Sequence, residues 1–433
     1  MDDGTYLDEI LENPDDDAPR LAAAERLERM GDPRGAFIRS QLQRERLDPG
    51  SIEARVLGEC ERQLLKKYKT QWAGRIGEIT PRYEFRRGFI SSVNLGLKRF
   101  IEVADLLFDS APINSLGLRQ CNTKRMKILA ECPRLARVHE LRLAKSTMNA
   151  KAAEALFHSP HWTWVSRFHA YQGQFGGDVT RVLASGPAFA NLTSLYLGSE
   201  AGHVPDVESI TACCRKLTSL NLLGSEIGNQ GAAIIAKSGL KQLETLNLCD
   251  TGLGAAGMKA LGQADLPALT RLDAGFGTGG GKYLAGPNIR QLRRLSLASQ
   301  DLKDSDVRRL AEAELPDLEY LDLRRGLGLA HKSIACLAES RLLSQLEFLR
   351  VSVGKKLRKK DFVALAESPH LGQRSGVLHL PIRDLKSTAW SSLEERFGTG
   401  FFRDALEGLE RADAFVEPAT TLTPSEIARQ GRD

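Results

Sequence analysis

The chain has 433 residues, of which 42% are hydrophobic and 27% are charged, and its formal net charge is +5. This composition is close to that of ordinary globular proteins and supplies ample apolar material for a core. No run approaches the roughly 18 consecutive apolar residues of a membrane-spanning helix, which excludes a membrane-spanning protein of that kind.

The N-terminus and the cysteines both favour the cytoplasm. The opening MDDGTYLDEI is acidic and lacks the basic and then apolar order of a secretory signal. The seven cysteines are odd in number, scattered, and form no CxxC pair, so they indicate neither a disulfide framework nor a zinc site. We therefore expect a cytoplasmic protein.

Residues 1–48 predict a small all-α module of three short helices. Asp17 stands where it can cap the second helix, and Gly31 stands where that helix should end. The residues expected to face inward are Leu7, Ile10 and Leu11 in the first helix, Leu21, Ala24, Leu27 and Met30 in the second, and Phe37, Ile38 and Leu42 in the third.

Part of this module resembles the bacterial repeat-companion domain, a short module found ahead of repeats. The matching stretches are LDEILENPDDDAPRL from Leu7, GDPRGAFIRSQ from Gly31, and WAGRIG and FRRGFISSVNL between Trp72 and Leu95. The sequence departs from the family at Ala23–Leu27, where the family usually carries a Tyr and a Trp. The resemblance implies a bacterial origin and an array of repeats downstream, but no activity.

Residues 49–84 are interpreted as a connecting helix and an N-terminal cap for the array. Within them, residues 51–69 predict an amphipathic helix. Its inward face should consist of Ile52, Val56, Cys60, Leu64 and Tyr68.

Internal repetition is the strongest signal, and it runs over residues 85–386. Short LxxLxL segments alternate with helical stretches such as DVRRLAEAEL. The central apolar residues of the segments are Val93, Leu116, Leu141, Phe168, Leu195, Leu220, Leu246, Leu272, Leu295, Leu321 and Leu349, and Leu378 extends the series. One strand and one helix cannot bury an apolar face alone, so we expect 11 to 12 stacked copies sharing one core.

This pattern resembles the ribonuclease-inhibitor class of leucine-rich repeats, in which a helix backs every strand. The resemblance implies an α/β fold, a curved solenoid with parallel strands on the concave face and helices on the convex face. Residues 387–410, which include LEERFGTGFF, are interpreted as a C-terminal cap, and residues 411–433 as a mobile tail or a docking peptide.

Three motifs look like cofactor or metal sites. GLGAAG at Gly252–Gly257 matches a dinucleotide fingerprint, but the preceding repeat places glycines at the same turn. GFGTGGGKY at Gly275–Tyr283 fails as a phosphate loop and is interpreted as a shortened repeat whose helix is replaced by a flexible loop, with a backbone anion nest left open. His158 and His161 have no third ligand at a recognisable spacing. We expect no cofactor, no metal and no catalysis.

The concave face is the predicted binding surface, because side chains alternate along a strand and those flanking the last apolar positions point outward. These residues form two clusters rich in Arg, Tyr and Phe, the residue types enriched at interaction hot spots. The candidate partner-binding residues are Arg142, Arg167, His169, Tyr171, Tyr196, Arg271, Asp273, Arg294, Tyr320, Asp322, Arg324, Phe348 and Arg350. The sequence thus favours a non-catalytic scaffold that binds a protein partner.

Two alternatives remain open. The basic run of Lys355, Lys356, Arg358, Lys359 and Lys360 lies between a predicted strand and a predicted helix, and such a loop could bind a polyanion or nucleic acid. Analogy with other helix-backed repeat proteins also allows an adaptor or regulator of a GTPase or an enzyme.

Overall fold

The computed structural model describes residues 4–48, 51–146, 148–171, 175–198, 204–275, 279–284, 286–297, 302–323, 331–351, 364–365, 368–370 and 377–379. The chain divides into two compact units, Met1–Ser225 and Glu226–Asp433, called unit 1 and unit 2 below. The predicted C-terminal cap and tail lie outside the described residues.

Unit 1 begins with the three predicted helices, α1 (Gly4–Glu12), α2 (Ala18–Arg29) and α3 (Arg34–Arg44). Their shared core consists of Ile10, Ala23, Ala24, Leu27, Ile38, Leu42 and Phe89. Helix α2 ends at Arg29, and Gly31, two residues later, has a φ of 73°, the left-handed conformation that glycine adopts readily. Its inward face was predicted wrongly in part. Leu21 and Met30 are exposed, because the face of α2 that packs against the core is formed by Ala23, Ala24 and Leu27.

The sequence suggested that the Asp17 side chain caps α2, but in the structure it accepts no capping hydrogen bond. Its carboxylate instead forms ion pairs with Arg87 and Arg46, which lie far from it in the chain. These contacts tie the start of α2 to α3 and to the first strands of the array. Burial opposes ionisation of Asp17, yet its hydrogen bonds with Arg87 and Arg46 hold its pKa below the usual range.

Helix α4 (Ile52–Ile79) is longer than predicted and is kinked at Gly74. Its predicted inward face was wrong, since Ile52, Val56 and Cys60 are exposed. The face that packs is marked by a buried acid, Glu61, whose carboxylate receives two hydrogen bonds of 2.8 Å from Arg44 and others from Ser40 and Gln41. Apolar periodicity misled the prediction because a fully hydrogen-bonded Glu can occupy a core position.

The rest of unit 1 alternates strands and helices. They are β1 (Tyr83–Arg86), β2 (Phe89–Gly96), α5 (Leu97–Ser110), β3 (Ser115–Arg119), α6 (Thr123–Ala130), β4 (Glu140–Ala144), α7 (Ala150–Phe157), β5 (Arg167–Tyr171), α8 (Gly177–Ser185), β6 (Ser194–Leu197), α9 (Val207–Cys213) and β7 (Ser219–Asn221). Strand β1 pairs antiparallel with β2, and every later strand pairs parallel with its predecessor.

Unit 2 continues the same alternation. Its elements are α10 (Gly228–Lys237), β8 (Thr245–Leu248), α11 (Ala255–Gly262), β9 (Arg271–Ala274), α12 (Pro287–Arg290), β10 (Arg294–Ser296), α13 (Asp304–Glu312), β11 (Tyr320–Leu323), α14 (His331–Glu339), β12 (Phe348–Val351) and β13 (Val377–His379). All the strand pairs from β8 to β13 are parallel. Short 3₁₀ turns add to the helical layer of both units, for example Pro187–Asn191 and Gly280–Tyr283.

The register confirms the predicted repeat. Val93, Leu116, Leu141, Phe168, Leu195 and Leu220 align side by side in unit 1, and Leu246, Leu272, Leu295, Leu321, Leu349 and Leu378 align in unit 2. The first eleven are 2% exposed or less, so they form the core between sheet and helices. The protein is an α/β leucine-rich-repeat array preceded by a helical module.

Candidate functional site

The sheet face opposite the helices carries side chains in straight rows, because the parallel strands are in register and side chains alternate along each strand. In unit 1 one row holds Ser92, Ser115, Glu140, Arg167, Ser194 and Ser219. The next row holds Asn94, Gly117, Arg142, His169, Tyr196 and Asn221. We call this surface the outward face of unit 1.

Glu140 organises the cations of the outward face of unit 1. The Nε of Arg167 donates to Oε2 of the Glu140 carboxylate at 3.1 Å, the Nη2 of Arg167 lies 2.9 Å from the same oxygen, and the Nε of Arg142 lies 3.5 Å from Oε1. Burial alone would raise the pKa of Glu140, but the charges of Arg142 and Arg167 outweigh that effect and lower it. Two arginines thus share one buried acid and are held in a fixed geometry.

Next to Arg142 lies a cluster of three rings, those of His169, Tyr171 and Tyr196. The imidazole of His169 is 1% exposed, with Nε2 3.0 Å from Ser194 Oγ and Nδ1 3.4 Å from the Tyr171 hydroxyl. The rings of Tyr171 and Tyr196 lie 4.6 Å apart. Burial lowers the pKa of His169 to about 4, although the Glu140 carboxylate acts in the opposite direction, so the ring is neutral at pH 7.

The outward face of unit 2 carries one row that holds Arg271, Arg294, Tyr320 and Phe348, and the planar groups of the last three form a stack. The guanidinium of Arg294 lies 3.7 Å from the centre of the Tyr320 ring, and that ring stacks on Phe348 at 4.7 Å and 5°. Both contacts are attractive, the first as a cation–π pair and the second as stacked rings. The stack extends across three strands.

Opposite charges also form pairs on the outward face of unit 2. The Nε of Arg271 donates to Asp273 at 3.0 Å, and Arg350 lies 4.0 Å from Asp322. Arg350 also approaches the Tyr320 hydroxyl at 3.4 Å and lies over the Phe348 ring. The side chains of this surface therefore fix one another's rotamers before any partner arrives.

The structure places twelve of the thirteen candidate residues on these two outward faces, and Arg324 lies outside the described residues. His169, Asp322 and Arg350 are deeply buried within their clusters, and Arg167 is the most accessible of the arginines that pair with acids there, with 37% of its side chain exposed. The predicted polyanion-binding run, Lys355 to Lys360, also lies outside the described residues.

Sequence reasoning missed Glu140, although it had named Arg167, which lies beside Glu140 in the same row. The register shows that the residue just before each central apolar position faces outward as well. A signal was present in the sequence, since this position holds Ser92, Ser115, Glu140, Ser194, Ser219 and Thr245, all of them polar. Arg82 and Arg119 were also missed.

The glycine motif at Gly252–Gly257 is a turn between strand and helix, as predicted. Gly252 has a φ of 71°, and the backbone amides of Gly254 and Gly257 both donate to the Oδ1 of Asn229 at 2.8 Å. Asn229 belongs to the preceding repeat. It occupies the place at the start of α11 where a phosphate would bind in a nucleotide site.

In the second glycine motif, which contains Gly281, a side chain of the protein itself takes the place of a bound anion. The amide of Gly281 donates to Asp306 Oδ1 at 3.1 Å, and a Cβ at residue 281 would lie only 2.1 Å from that oxygen. A carboxylate therefore takes the position of an anion in the proposed nest. The described part of this shortened repeat contains a 3₁₀ turn and the single-turn helix α12 in place of a full helix.

The structure places His158 at the surface and His161 in a half-buried position. His158 lies 3.7 Å from Glu154, and nearby Trp162 is buried with its indole N–H 2.9 Å from the Val138 carbonyl oxygen. Within the described residues, no group of three or more His, Cys, Asp or Glu side chains is arranged to hold a metal ion. No described helix is long and apolar enough to span a membrane.

No protein-family model matches the chain, and no curated protein matches it. Three solved structures resemble its fold. The Rad7–Elc1 complex of yeast is 17% identical with a TM-score of 0.42, covering 81% of this chain and 83% of that one. An internalin of Listeria monocytogenes, InlF, is 14% identical with a TM-score of 0.39, covering 70% and 85%. TLR13 in complex with ssRNA13 is 15% identical with a TM-score of 0.35, covering 70% and 51%.

Proposed function

We propose that this protein is a non-catalytic scaffold that binds a protein partner on the outward faces of its sheet. The observation that carries the proposal is the ordered array of Arg and aromatic side chains, fixed by Glu140 in unit 1 and by the Arg294–Tyr320–Phe348 stack in unit 2. Arg and Tyr are enriched at binding hot spots, and a surface that is ordered beforehand loses less entropy on binding. We place it in the cytoplasm, since its seven cysteines are free thiols.

The proposal predicts that accessible outward residues matter for binding and that helix-side arginines do not. In a pull-down from nuclease-treated host lysate, the variant R167A/Y171A/R271A/R294A should lose the protein that wild type retains. The control R308A/R309A changes two exposed arginines of α13 and should retain it. Mass spectrometry names the retained protein, and calorimetry with that purified protein should show at least a tenfold weaker affinity for the outward-face variant.

Equal retention by the outward-face variant and by wild type would remove the proposal. A retained set that disappears on nuclease treatment would instead favour the alternative of nucleic-acid binding.

A further inference from the structure

Within the part of the chain that the structure describes, two arginines on the outward face of unit 1 pair with no acid. Arg119 ends β3, and Arg82 immediately precedes β1. Among the described residues, neither guanidinium forms an ion pair or a hydrogen bond, and the Nε of Arg119 is buried without a partner. Arg142 and Arg167, by contrast, share Glu140 on the same face.

The backbone places both residues beside the end of β2, since the Asn94 amide donates to the Arg82 carbonyl oxygen at 2.8 Å and Arg119 lies opposite Gly96. Burial lowers the pKa of Arg119, and the positive charge of Arg82 lowers it further. Like charges that lie close together in a half-buried position cost free energy unless an anion lies between them. The exposed carboxylate of Glu84, on β1, pairs with neither of them.

The backbone beneath the pair leaves room for a ligand. Arg119 lies opposite Gly96 in the register, and a Cβ on Gly96 would meet no atom within 4 Å. The neighbouring Asn94 lies against Gly117, and its Oδ1 is buried without a hydrogen-bond partner. Because an amide can be turned by 180°, Asn94 can present its N–H₂ group to an acceptor in this place.

We propose that Arg82, Arg119 and Asn94 bind a carboxylate from an acidic segment of the protein partner. This rests on the proposed function and names the chemistry that the partner brings. Two guanidiniums match the geometry of a carboxylate and donate strong charge-assisted hydrogen bonds to it. A nucleic acid would need a line of free cations along its closely spaced phosphates, whereas Arg142 and Arg167 both already contact the carboxylate of Glu140.

The test uses the full chain and two probes at low ionic strength, fluorescein-labelled hexaglutamate and fluorescein-labelled oligothymidylate, read by fluorescence polarisation. We expect hexaglutamate to bind wild type and the R82Q/R119Q variant to bind it at least tenfold more weakly. The matched control R55Q/R125Q removes the same charge from helices α4 and α6 and should bind as wild type does. R82K/R119K keeps the charge and should recover only part of the affinity, because Lys lacks the planar fork.

Stability provides a second measurement. If Arg119 served only to hold the fold, Arg119→Gln would lower the unfolding midpoint, whereas relief of repulsion from Arg82 predicts an unchanged or higher midpoint. Equal hexaglutamate binding by wild type and R82Q/R119Q, or a lowered midpoint for Arg119→Gln without loss of binding, would overturn the proposal. Tighter binding of oligothymidylate than of hexaglutamate, lost in the same variant, would overturn the choice of a protein carboxylate.

This result is separable from that of the proposed function. If hexaglutamate binding is lost in R82Q/R119Q but no lysate protein depends on the outward face, the anion site stands and the scaffold function fails. If the lysate protein is lost in the R167A/Y171A/R271A/R294A variant but hexaglutamate binding does not depend on Arg82 and Arg119, the scaffold stands and the carboxylate site fails.

Discussion

His169 shows how a single residue on an exposed sheet face becomes part of a buried network. It lies in the row between Arg142 and Tyr196, and its two nitrogens approach Ser194 and Tyr171. One nitrogen of a neutral imidazole donates and the other accepts, so both hydroxyls can be satisfied without a charge. The ring then orders the accessible Tyr171 beside it.

This burial makes the stability of unit 1 depend on pH. The pKa of His169 is about 4 in the folded chain against an ordinary value of 6.5, so between these values the unfolded chain binds the extra proton. Stability should therefore fall as the pH decreases through this window, by up to about 1.4 kcal/mol per pH unit. Urea unfolding of wild type and His169→Asn at several pH values from 7 to about 4 measures this contribution as the difference between the two curves.

If the free energy of unfolding of the two proteins changed with pH in the same way, the pKa of His169 would not be lowered in the folded chain. Glu140 acts in the same direction at lower pH, because its pKa is lowered in the folded state and its contribution is lost on protonation.

At the level of elements, a side chain from one repeat can accept hydrogen bonds from the loop amides of a neighbouring repeat. Asn229 of α10 accepts hydrogen bonds from two amides at the start of α11, so the loop needs no ligand there. Asp306 of α13 does the same for Gly281 of the preceding turn. Such contacts explain why glycine-rich loops between strand and helix recur without forming a nucleotide site.

Asn229→Ala should destabilise the chain by about 1 to 2 kcal/mol, because two amides lose their acceptor at a helix start. Asn229→Asp keeps the acceptor in place and should cost little. Denaturant unfolding of both variants decides the question, and equal stability of Asn229→Ala and wild type would mean that water replaces the amide at no cost.

Helix α4 is the element that was predicted least well. Its exposed residues Ile52 and Val56 follow apolar helical spacing, while the face that packs is built around Glu61. The bidentate contact from Arg44 could not be predicted from either residue alone, because they are 17 positions apart and their approach depends on how α3 and α4 pack. The strands were predicted well because the central inward-facing position of each repeat is apolar.

At the level of the whole molecule, stability comes from contacts between successive repeats. Each repeat is too small to bury its apolar face alone, so removal of one central leucine should weaken its neighbours as well. Leu195 is fully buried between Phe168 and Leu220 in the register.

Leu195→Ala should lower the free energy of unfolding by about 2 to 5 kcal/mol. Hydrogen exchange should become faster in β5 and β7 as well as in β6. Leu106→Ala, at a partly exposed position on α5, is the control and should cost far less. Faster exchange confined to β6 would contradict the shared core.

The sequence by itself determined the repeat and the central residue of the strands β2 to β13, because side-chain alternation and helix spacing are local consequences of backbone geometry. Only the tertiary structure decided which of the outward-facing residues are available. Glu140 holds Arg142 and Arg167, His169 is buried by its neighbours, and Arg82 and Arg119 pair with no acid among the described residues. Glu140 with Arg142 and His169 with Tyr171 share a strand, but the contacts of Glu140 with Arg167 and of His169 with Ser194 join strands 25 or more residues apart, and no local pattern contains that information.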